Sequence, residues 1–219
     1  TEPFEMMQTL MTQYMWAQIK ITMGERAPEK INPSHFKTGI ESQIINIDDI
    51  NVQMKPNHPA ESITFFEMIE FIDLLNDLSK TGDDKTQESL SVYFPGHQKG
   101  DLYKLPTDEQ WQYVASGGGQ HNKSDNYVNL DTRDFAWSEE NSNNQTHAVA
   151  QKIPLRINDD EFYDMFGNVW ERTIDSRGES NVRGGSWDFH STHIKSAHGR
   201  MVDDIKFNTV GFRLVRIRR

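Results

Sequence analysis

The second half of the chain constrains the fold most, because from residue 120 to the C-terminus it shows no sustained helical period. Short apolar clusters there alternate with Asn, Asp, Ser and Gly, a pattern typical of loops and short strands. Trp137, Trp170 and Trp187 stand in these clusters, near Gly or Asn. Large indole rings can supply the packing that regular elements would otherwise give. We therefore expect a loop-rich second half whose tryptophans, together with Trp111, belong to the core.

Two helices are predicted from local signals. The first spans residues 64–79, where Thr64 and Glu67 form a capping box ahead of apolar residues at helical spacing, and Gly82 ends it. The second begins at Thr107 and ends at a run of three glycines, residues 117–119. The polar residues 83–87 and 120–125 are expected to be mobile. Helices followed by short strands predict an α+β fold.

The absence of cysteine is the strongest chemical constraint. None of the 219 residues is a cysteine, which excludes disulfide bonds, thiolate metal sites and cysteine nucleophiles. The length fits one large domain or two small ones. Aromatic residues make up 11% of the chain, too many for a disordered segment, so a packed core is expected.

Net charge and hydropathy limit the possible partners. The formal net charge of −10 argues against broad binding of nucleic acid or anionic membranes, because both require fields of Lys and Arg. No apolar run approaches the ~20 residues that cross a bilayer, so direct membrane insertion is not expected. The first residue is Thr1 rather than Met, so the compartment stays undetermined from this sequence.

Four blocks in a fixed order resemble one known family. They are KLPTDEQWQY at residues 104–113, AWSEENS at 136–142 with HAVAQK at 147–152, YDMFGNVWER at 163–172, and RGGSW at 183–187 with GFR at 211–213. Each block alone is weak, but all of them in order, with fainter similarities in the first half, cover nearly the whole chain. The sequence therefore resembles the formylglycine-generating-enzyme, or sulfatase-modifying-factor, family.

The resemblance implies a fold. It predicts one α+β domain over residues 1–219, related to C-type lectins, with two main helices, short strands and much irregular loop. Arg183 and Arg213 stand beside glycines in the last block. A guanidinium carries five fixed donors and can satisfy irregular backbone, so we expect both arginines to be buried and structural.

The resemblance also implies a lost activity. The family's enzyme uses two cysteines shortly after its RGGS block to bind copper and activate oxygen. Aligned from Arg183, those positions are Phe189 and Ile194. A phenyl ring and an aliphatic chain cannot ligate a soft metal or exchange with a substrate thiol. We therefore expect no copper and no oxidation of a sulfatase cysteine by that route.

A calcium site is implied by the block at residues 163–172. Asp164 and Glu171 would supply carboxylates, and Gly167 and Val169 would supply backbone oxygens. Hard oxygen donors suit Ca²⁺, which accepts flexible geometry. The alternative is a turn with two exposed acids. A structural calcium ion is the favoured interpretation, and a requirement for millimolar calcium would favour an exported or periplasmic location.

Three histidines near the RGGSW block offer a second possible metal site. His190, His193 and His198, with Asp188 or the pair Asp203 and Asp204, contain the ligand types of an iron or copper site. Their spacing is not diagnostic of a metal site. Surface or groove histidines are therefore the favoured interpretation.

Two functions remain open from the sequence. The first is a non-catalytic, calcium-stabilised module that binds a protein or small ligand in a groove. Its contact residues would be Trp187, Asp188, Phe189, His190 and His193, because rigid rings beside polar groups suit recognition. The alternative is a cysteine-independent, metal-dependent oxidoreductase of the same family. That alternative needs a redox metal, for which the scattered histidines of the first half give no pattern.

Overall fold

Helices dominate the first half of the computed structural model and short strands the second. The structure describes residues 3–119, 130–196, 198–200 and 205–219. The helices are α1 (Gln13–Thr22), α2 (Pro28–Ile31), α3 (Phe65–Thr81), α4 (Asp84–Tyr93), α5 (Asp108–Ala115) and α6 (Thr132–Phe135), with a 3₁₀ helix at Ser191–Ser196. The strands are β1 (Glu5–Met6), β2 (Gln43–Ile47), β3 (Ile50–Met54), β4 (Leu102–Lys104), β5 (Leu155–Ile157), β6 (Asp160–Phe162), β7 (Trp170–Ile174), β8 (Ser180–Arg183), β9 (His198–Arg200), β10 (Val210–Gly211) and β11 (Val215–Ile217). This mixture confirms the predicted α+β class.

The two predicted helices are confirmed. The Thr64 hydroxyl accepts a hydrogen bond from the Glu67 amide at the start of α3, and the Glu67 carboxylate accepts one from the Thr64 amide. Thr107 and Gln110 form the same reciprocal pair at the start of α5. Two backbone donors are satisfied at each start, which fixes where the helix begins.

The expectation that residues 83–87 are mobile was wrong. Asp83 caps α4, and its carboxylate accepts a hydrogen bond of 2.9 Å from the Thr86 amide. Leu90 is the buried residue of this helix, so α4 has almost no apolar period for a sequence pattern to reveal. Residues 120–125 lie outside the described residues.

Strand pairing brings distant blocks of the sequence together. One sheet has the order β1-β11-β4, and another has the order β10-β7-β8-β9, in which β10 and β7 run parallel. The first sheet pairs Glu5 with Arg216, close to the two ends of the chain. The second joins the YDMFGNVWER, RGGSW and GFR blocks, and it thereby positions the residues of the candidate site.

Two large apolar clusters form the core. In the first, Trp16 stacks on Phe71 at 4.3 Å between ring centroids, and Phe212 packs against both rings. In the second, Trp111 packs edge-to-face on Phe166. Within the described residues, no helix combines the length and apolar character that a membrane span requires.

Of the four tryptophans expected in the core, two are buried and two are only partly buried. Trp111 and Trp170 are buried, at 4% and 9% exposure, as predicted. Trp137 and Trp187 are only partly buried, so the expectation of a purely core position was wrong for them. Both therefore lie at the boundary between core and solvent.

Candidate functional site

Gly185 brings together the two positions where the resemblance places cysteines. It adopts a φ of +76°, and a Cβ added there would lie 2.7 Å from Ile194 Cγ1 and 3.3 Å from Phe189 Cδ1. Ile194 is fully buried, and Phe189 is partly buried with its ring edge-to-face on Trp170. The two side chains thus pack against one glycine, and hydrocarbon fills the space.

Trp187 is fixed mainly through its backbone. Its amide donates to the Asn168 carbonyl at 2.9 Å, and its carbonyl accepts from the Ser142 hydroxyl at 2.8 Å. The indole Nε1 donates to the Asn208 carbonyl at 3.2 Å. These bonds hold the indole in one orientation while part of the ring stays exposed.

Phe36 is a site residue that the sequence did not predict. Its ring packs edge-to-face on Trp187, with 5.5 Å between centroids. Glu61 holds the Phe36 segment in place, because its carboxylate accepts from the Phe36 amide at 2.8 Å and from the Ser62 hydroxyl at 2.7 Å. Burial raises the pKa of Glu61. Phe36 lies far from Trp187 in sequence, so no local pattern could have paired them.

Glu140 ties the histidine-bearing segment to the AWSEENS block. It accepts hydrogen bonds from the Ser138 hydroxyl at 2.7 Å and from the Ser191 amide and hydroxyl at 3.0 and 2.8 Å. Partial burial opposes ionisation, but these hydrogen bonds outweigh it and lower the pKa of Glu140 to about 2. His190 Nε2 lies 3.4 Å from the same carboxylate. Glu140 therefore orders this segment as an anion.

The remaining predicted contact residues face solvent. Asp188 is exposed, and its carboxylate accepts from the Ser186 hydroxyl at 2.5 Å. His190 and His193 are exposed, with 6.3 Å between their ring centroids. Trp187, Asp188, His190 and His193, with Phe36 and the edge of Phe189, form what we call the Trp187 surface. The structure brings these predicted residues into one region, with their side chains reaching its surface.

In the described part of the chain, no cluster of metal-ligating side chains supports the predicted histidine metal site. Among the residues that the structure describes, no group of three or more His, Asp or Glu side chains is arranged to hold a metal ion. Asp203 and Asp204 lie outside the described residues. A redox metal at His190, His193 and His198 therefore remains a hypothesis.

The two carboxylates of the predicted calcium set are buried, not exposed. Glu171 is completely buried and forms a two-bond ion pair with Arg213, at 2.6 Å to Nε and 2.8 Å to Nη2. Asp164 Oδ2 accepts from the Ala150 amide at 2.9 Å. Burial raises the pKa of both carboxyl groups, and the Arg213 guanidinium opposes this shift in each.

These contacts test how well the set fits calcium. Both oxygens of Glu171 already accept N–H bonds from a cation, so the carboxylate can reach a calcium ion only if Arg213 moves away. Gly167 and Val169 lie in the same turn, where the Gly167 amide donates to the Gly184 carbonyl and Val169 is fully buried. As arranged, the set does not fit calcium, and the predicted ion remains a prediction.

Arg213 is buried and structural, as expected, whereas Arg183 is only partly buried. Besides Glu171, Arg213 donates to the carbonyls of Met7 and Tyr163, at 3.1 and 2.8 Å. Arg183 instead pairs with the Asp108 carboxylate in the first turn of α5, at 2.8 and 3.1 Å. The expected bonds to loop carbonyls are therefore found for Arg213.

A large cavity lies away from the Trp187 surface. It has a volume of about 1180 Å³ and runs along β1 and β11, with Met6, Tyr93 and Tyr113 among its lining residues. None of the predicted contact residues lines it. The Trp187 surface is therefore separate from this cavity.

Comparison with known proteins places this geometry in a family. The chain is 28% identical over 170 residues to "Chaperone protein LppX" of Paenibacillus barcinonensis, an alignment that covers 59% of each protein. The chain thus spans about three-fifths of the length of that curated relative. Similar solved structures share 16–20% identity, which shows the fold alone.

Three of those structures cover almost the whole chain. "Treponema denticola variable protein 1" has a TM-score of 0.64 at 18% identity, and the match covers 98% of this chain and 84% of that protein's chain. CarF has a TM-score of 0.63 at 20% identity, covering 99% and 87%. PvdO from Pseudomonas aeruginosa has a TM-score of 0.60 at 16% identity, covering 99% and 81%. The family described as "Sulfatase-modifying factor enzyme 1-like domain" matches residues 1–218, and the chain therefore belongs to that family.

Proposed function

We propose that this protein is a non-catalytic binding module that holds a protein or small ligand at the Trp187 surface. The observation that carries the proposal is the junction at Gly185, where hydrocarbon from Phe189 and Ile194 stands at the aligned cysteine positions. The chain contains no cysteine, so no thiol is present to carry out the family's cysteine chemistry. Directly beside that junction, two aromatic rings remain partly exposed.

The chemistry of the surface supports recognition. The rings of Trp187 and Phe36 form a rigid edge-to-face pair whose backbone is anchored by hydrogen bonds. Rigid aromatic side chains give contact area at low entropic cost and often dominate binding energy. Asp188 and His190, both exposed beside the rings, add polar groups that can select a partner. An aromatic centre with a polar rim is the usual anatomy of a binding surface.

The name of one relative agrees with a binding role. The LppX relative is called a chaperone. A chaperone contacts other proteins by definition, which favours a protein partner over a small ligand. Because the alignment covers 59% of LppX, its activity comes to this chain only as part of the proposal.

Calcium stabilisation is a separate proposal. It rests on the resemblance of residues 163–172 to the family's calcium-binding block, and it requires Arg213 to leave Glu171. No contact residue of the Trp187 surface belongs to the calcium set. Melting the protein with and without chelator tests calcium without testing the surface.

Site-specific photocrosslinking tests the binding proposal. A benzoylphenylalanine at position 190 should give a discrete crosslinked species in cells that make the protein, and Trp187→Ala should remove that species. The matched control carries the same group at Val92, which is 69% exposed on α4. Trp187→Ala should cost about 1 to 2 kcal/mol of stability, because the ring is only partly buried.

Two results would contradict the proposal. Equal crosslinking from positions 190 and 92 would show that the Trp187 surface has no specific partner. Stoichiometric iron or copper in the purified protein, removed by His190→Ala or His193→Ala, would favour the metal-dependent oxidoreductase instead. Plasma mass spectrometry of tag-free protein measures that metal content.

A further inference from the structure

A cluster of basic side chains lies beside Glu41, away from the residues predicted to bind a ligand. His58 Nε2 lies 2.7 Å from Glu41 Oε2, and this hydrogen bond lowers the pKa of Glu41. Lys55 donates to Gln145, and His58 Nδ1 lies 3.0 Å from the Thr146 hydroxyl, so both side chains meet the segment that leads into His147. Lys55, His58 and His147 thus belong to one region, and we call these three residues the basic pocket.

Lys55 is the least satisfied member of the basic pocket. It is 2% exposed, and among the described residues its ammonium donates to one neutral acceptor, the Gln145 Oε1 at 3.3 Å. No carboxylate lies within 4.0 Å of this ammonium in the described part of the chain. A buried lysine is rare unless it is paired with an anion, because its desolvation is costly. The pocket therefore has unused capacity for negative charge.

His58 and His147 form walls that are already fixed. His58 is buried, and one neutral tautomer can donate from Nε2 to Glu41 while Nδ1 accepts from the Thr146 hydroxyl at 3.0 Å. The His147 ring stacks on Trp137 at 3.7 Å and 11°, and its Nε2 bonds the Ser142 carbonyl at 2.6 Å. Burial lowers the pKa of both histidines, which keeps them neutral at pH 7. The His58 Nε2–H can therefore donate to an incoming anion in place of Glu41, while the His147 ring, whose N–H is already bonded, forms a fixed wall.

Glu41 is held loosely compared with the residues that it meets. Its side chain is 61% exposed, against 3% for His58. It belongs to a surface turn and adopts a φ of +69°, a conformation that non-glycine residues seldom take. Because most of the Glu41 side chain is already exposed, returning its carboxylate to water costs little. Glu41 can therefore be displaced more easily than the buried Lys55 and His58.

We propose that the basic pocket of Lys55, His58 and His147 is a binding site for the carboxylate of a ligand, and that Glu41 occupies it until that ligand arrives. This inference goes beyond the Trp187 surface, because it names a second site and the chemistry that the site recognises. The pocket adjoins that surface through Ser142, whose carbonyl bonds His147 and whose hydroxyl bonds the Trp187 carbonyl. A single partner can reach both.

Charge and geometry favour a carboxylate over a phosphate. With both histidines neutral, Lys55 gives the pocket one positive charge, which matches one carboxylate better than a doubly charged phosphate. The 2.7 Å contact of Glu41 Oε2 with His58 Nε2 shows that a carboxylate oxygen can reach the donor of this pocket. Such charge-assisted bonds are stronger than those between neutral groups.

Histidine-resolved NMR of the intact protein tests the pocket directly. Glutarate and acetyl-Gly-Gly, as small carboxylates, should shift the ring signals of His58 and His147 saturably. Glu41→Gln should tighten this binding about tenfold, since the competing carboxylate is gone. The matched control is Glu70→Gln, which removes one exposed charge from α3. If glutarate binds more tightly, a side-chain-like carboxylate is the ligand, whereas tighter acetyl-Gly-Gly indicates a chain terminus.

Lys55→Met in the Glu41→Gln background should abolish binding while leaving the amide spectrum folded. The proposal is overturned if Glu41→Gln shows no saturable shift of the His58 and His147 rings at millimolar carboxylate. It is also overturned if inorganic phosphate or sulfate binds as tightly as glutarate. Neither result bears on photocrosslinking from position 190, so failure here and failure of the proposed function remain distinguishable.

Discussion

The buried turn at residues 163–171 and the Trp187 surface both lie in sequence blocks that resemble the family, yet they use their polar residues differently. In the turn, the Glu171 carboxylate is completely buried and both of its oxygens are paired with Arg213. At the Trp187 surface, Asp188 and His190 remain exposed beside partly exposed rings. The same kind of motif match thus marks buried framework in one place and exposed polar and aromatic side chains in the other. The two regions differ in whether their polar side chains are buried and paired, rather than in the types of residue that they contain.

The largest expected effect comes from breaking the buried pair. Glu171→Gln leaves the Arg213 charge buried and unpaired, so we expect a loss of about 3 to 5 kcal/mol in the free energy of unfolding. The ion pair needs no metal, so this loss should be present in chelator, and a calcium ion bound by Glu171 would add a further loss in calcium buffer. Chemical denaturation in both buffers measures it.

An ion pair nearer the surface provides the matched control for Glu171→Gln. Glu161→Gln removes a carboxylate from the exposed pair with Arg156 and should cost under about 1 kcal/mol. A loss for Glu171→Gln that occurs only in calcium would reverse the comparison, since it would assign Glu171 to a cation site. The calcium prediction would then be supported over the ion pair.

A smaller effect is expected where cysteines are put back at the Gly185 junction. The double variant Phe189→Cys and Ile194→Cys should lose about 2 to 3 kcal/mol, because thiols fill less volume than the ring and the branched chain. It should also bind one copper(I) ion, since two soft thiolates would then face each other across Gly185. Anaerobic competition with a copper(I) chelator measures this binding.

The single variants provide the matched control for copper. Phe189→Cys alone and Ile194→Cys alone each present one thiolate, so their copper(I) binding should be much weaker than that of the pair. If the double variant binds no better than either single one, the alignment from Arg183 places the lost cysteines wrongly. The two cysteine positions of the family would then have to be assigned to other residues of this chain.

The smallest effect concerns pH at the edge of the Trp187 surface. Glu140 has a lowered pKa, so its stabilising contribution is complete above the ordinary value of 4.5 and disappears as pH falls towards about 2. The Ser191 amide signal should therefore titrate with a midpoint near 2. Because the Glu140 side chain is 33% exposed, solvent screening keeps the change in global stability small.

NMR titration of the Ser191 amide measures this midpoint. Glu140→Gln should abolish the transition, whereas Glu139→Gln, at the exposed neighbouring position, should leave it in place. A midpoint near 4.5 in the unaltered protein would mean that Glu140 does not hold the histidine segment. The Trp187 surface would then lack the anchor that the structure gives it.

Sequence reasoning succeeded where the determining interactions were local. The starts of α3 and α5 follow from Thr64 and Thr107, because each capping box lies within four consecutive residues. The start of α1 was missed, although Thr12 accepts from the Met15 amide, because the helix buries polar Gln13 and lacks a clear apolar period. Local caps therefore define helices only when the hydrophobic pattern agrees with them.

The candidate site was less predictable, since its contacts join distant parts of the chain. Glu171 and Arg213 were both singled out, but their pairing spans 42 residues and changes the role expected for Glu171. Phe36 lies at the Trp187 surface because the fold brings it there, and no sequence pattern indicated this contact. The basic pocket likewise joins residues whose spacing carries no motif. Residue types were foreseeable, but their partners required the three-dimensional structure.

The pairing of β1 with β11 has a consequence for how such a domain can be rearranged. Glu5 lies opposite Arg216, and Arg218 forms an ion pair of 2.6 Å with Glu5. The first and last strands thus leave the molecule at neighbouring points. A short linker could join them, and a new opening could be cut at the exposed turn between β2 and β3, residues 48–49, without removing a buried side chain. A circularly permuted chain should therefore keep the same packed structure.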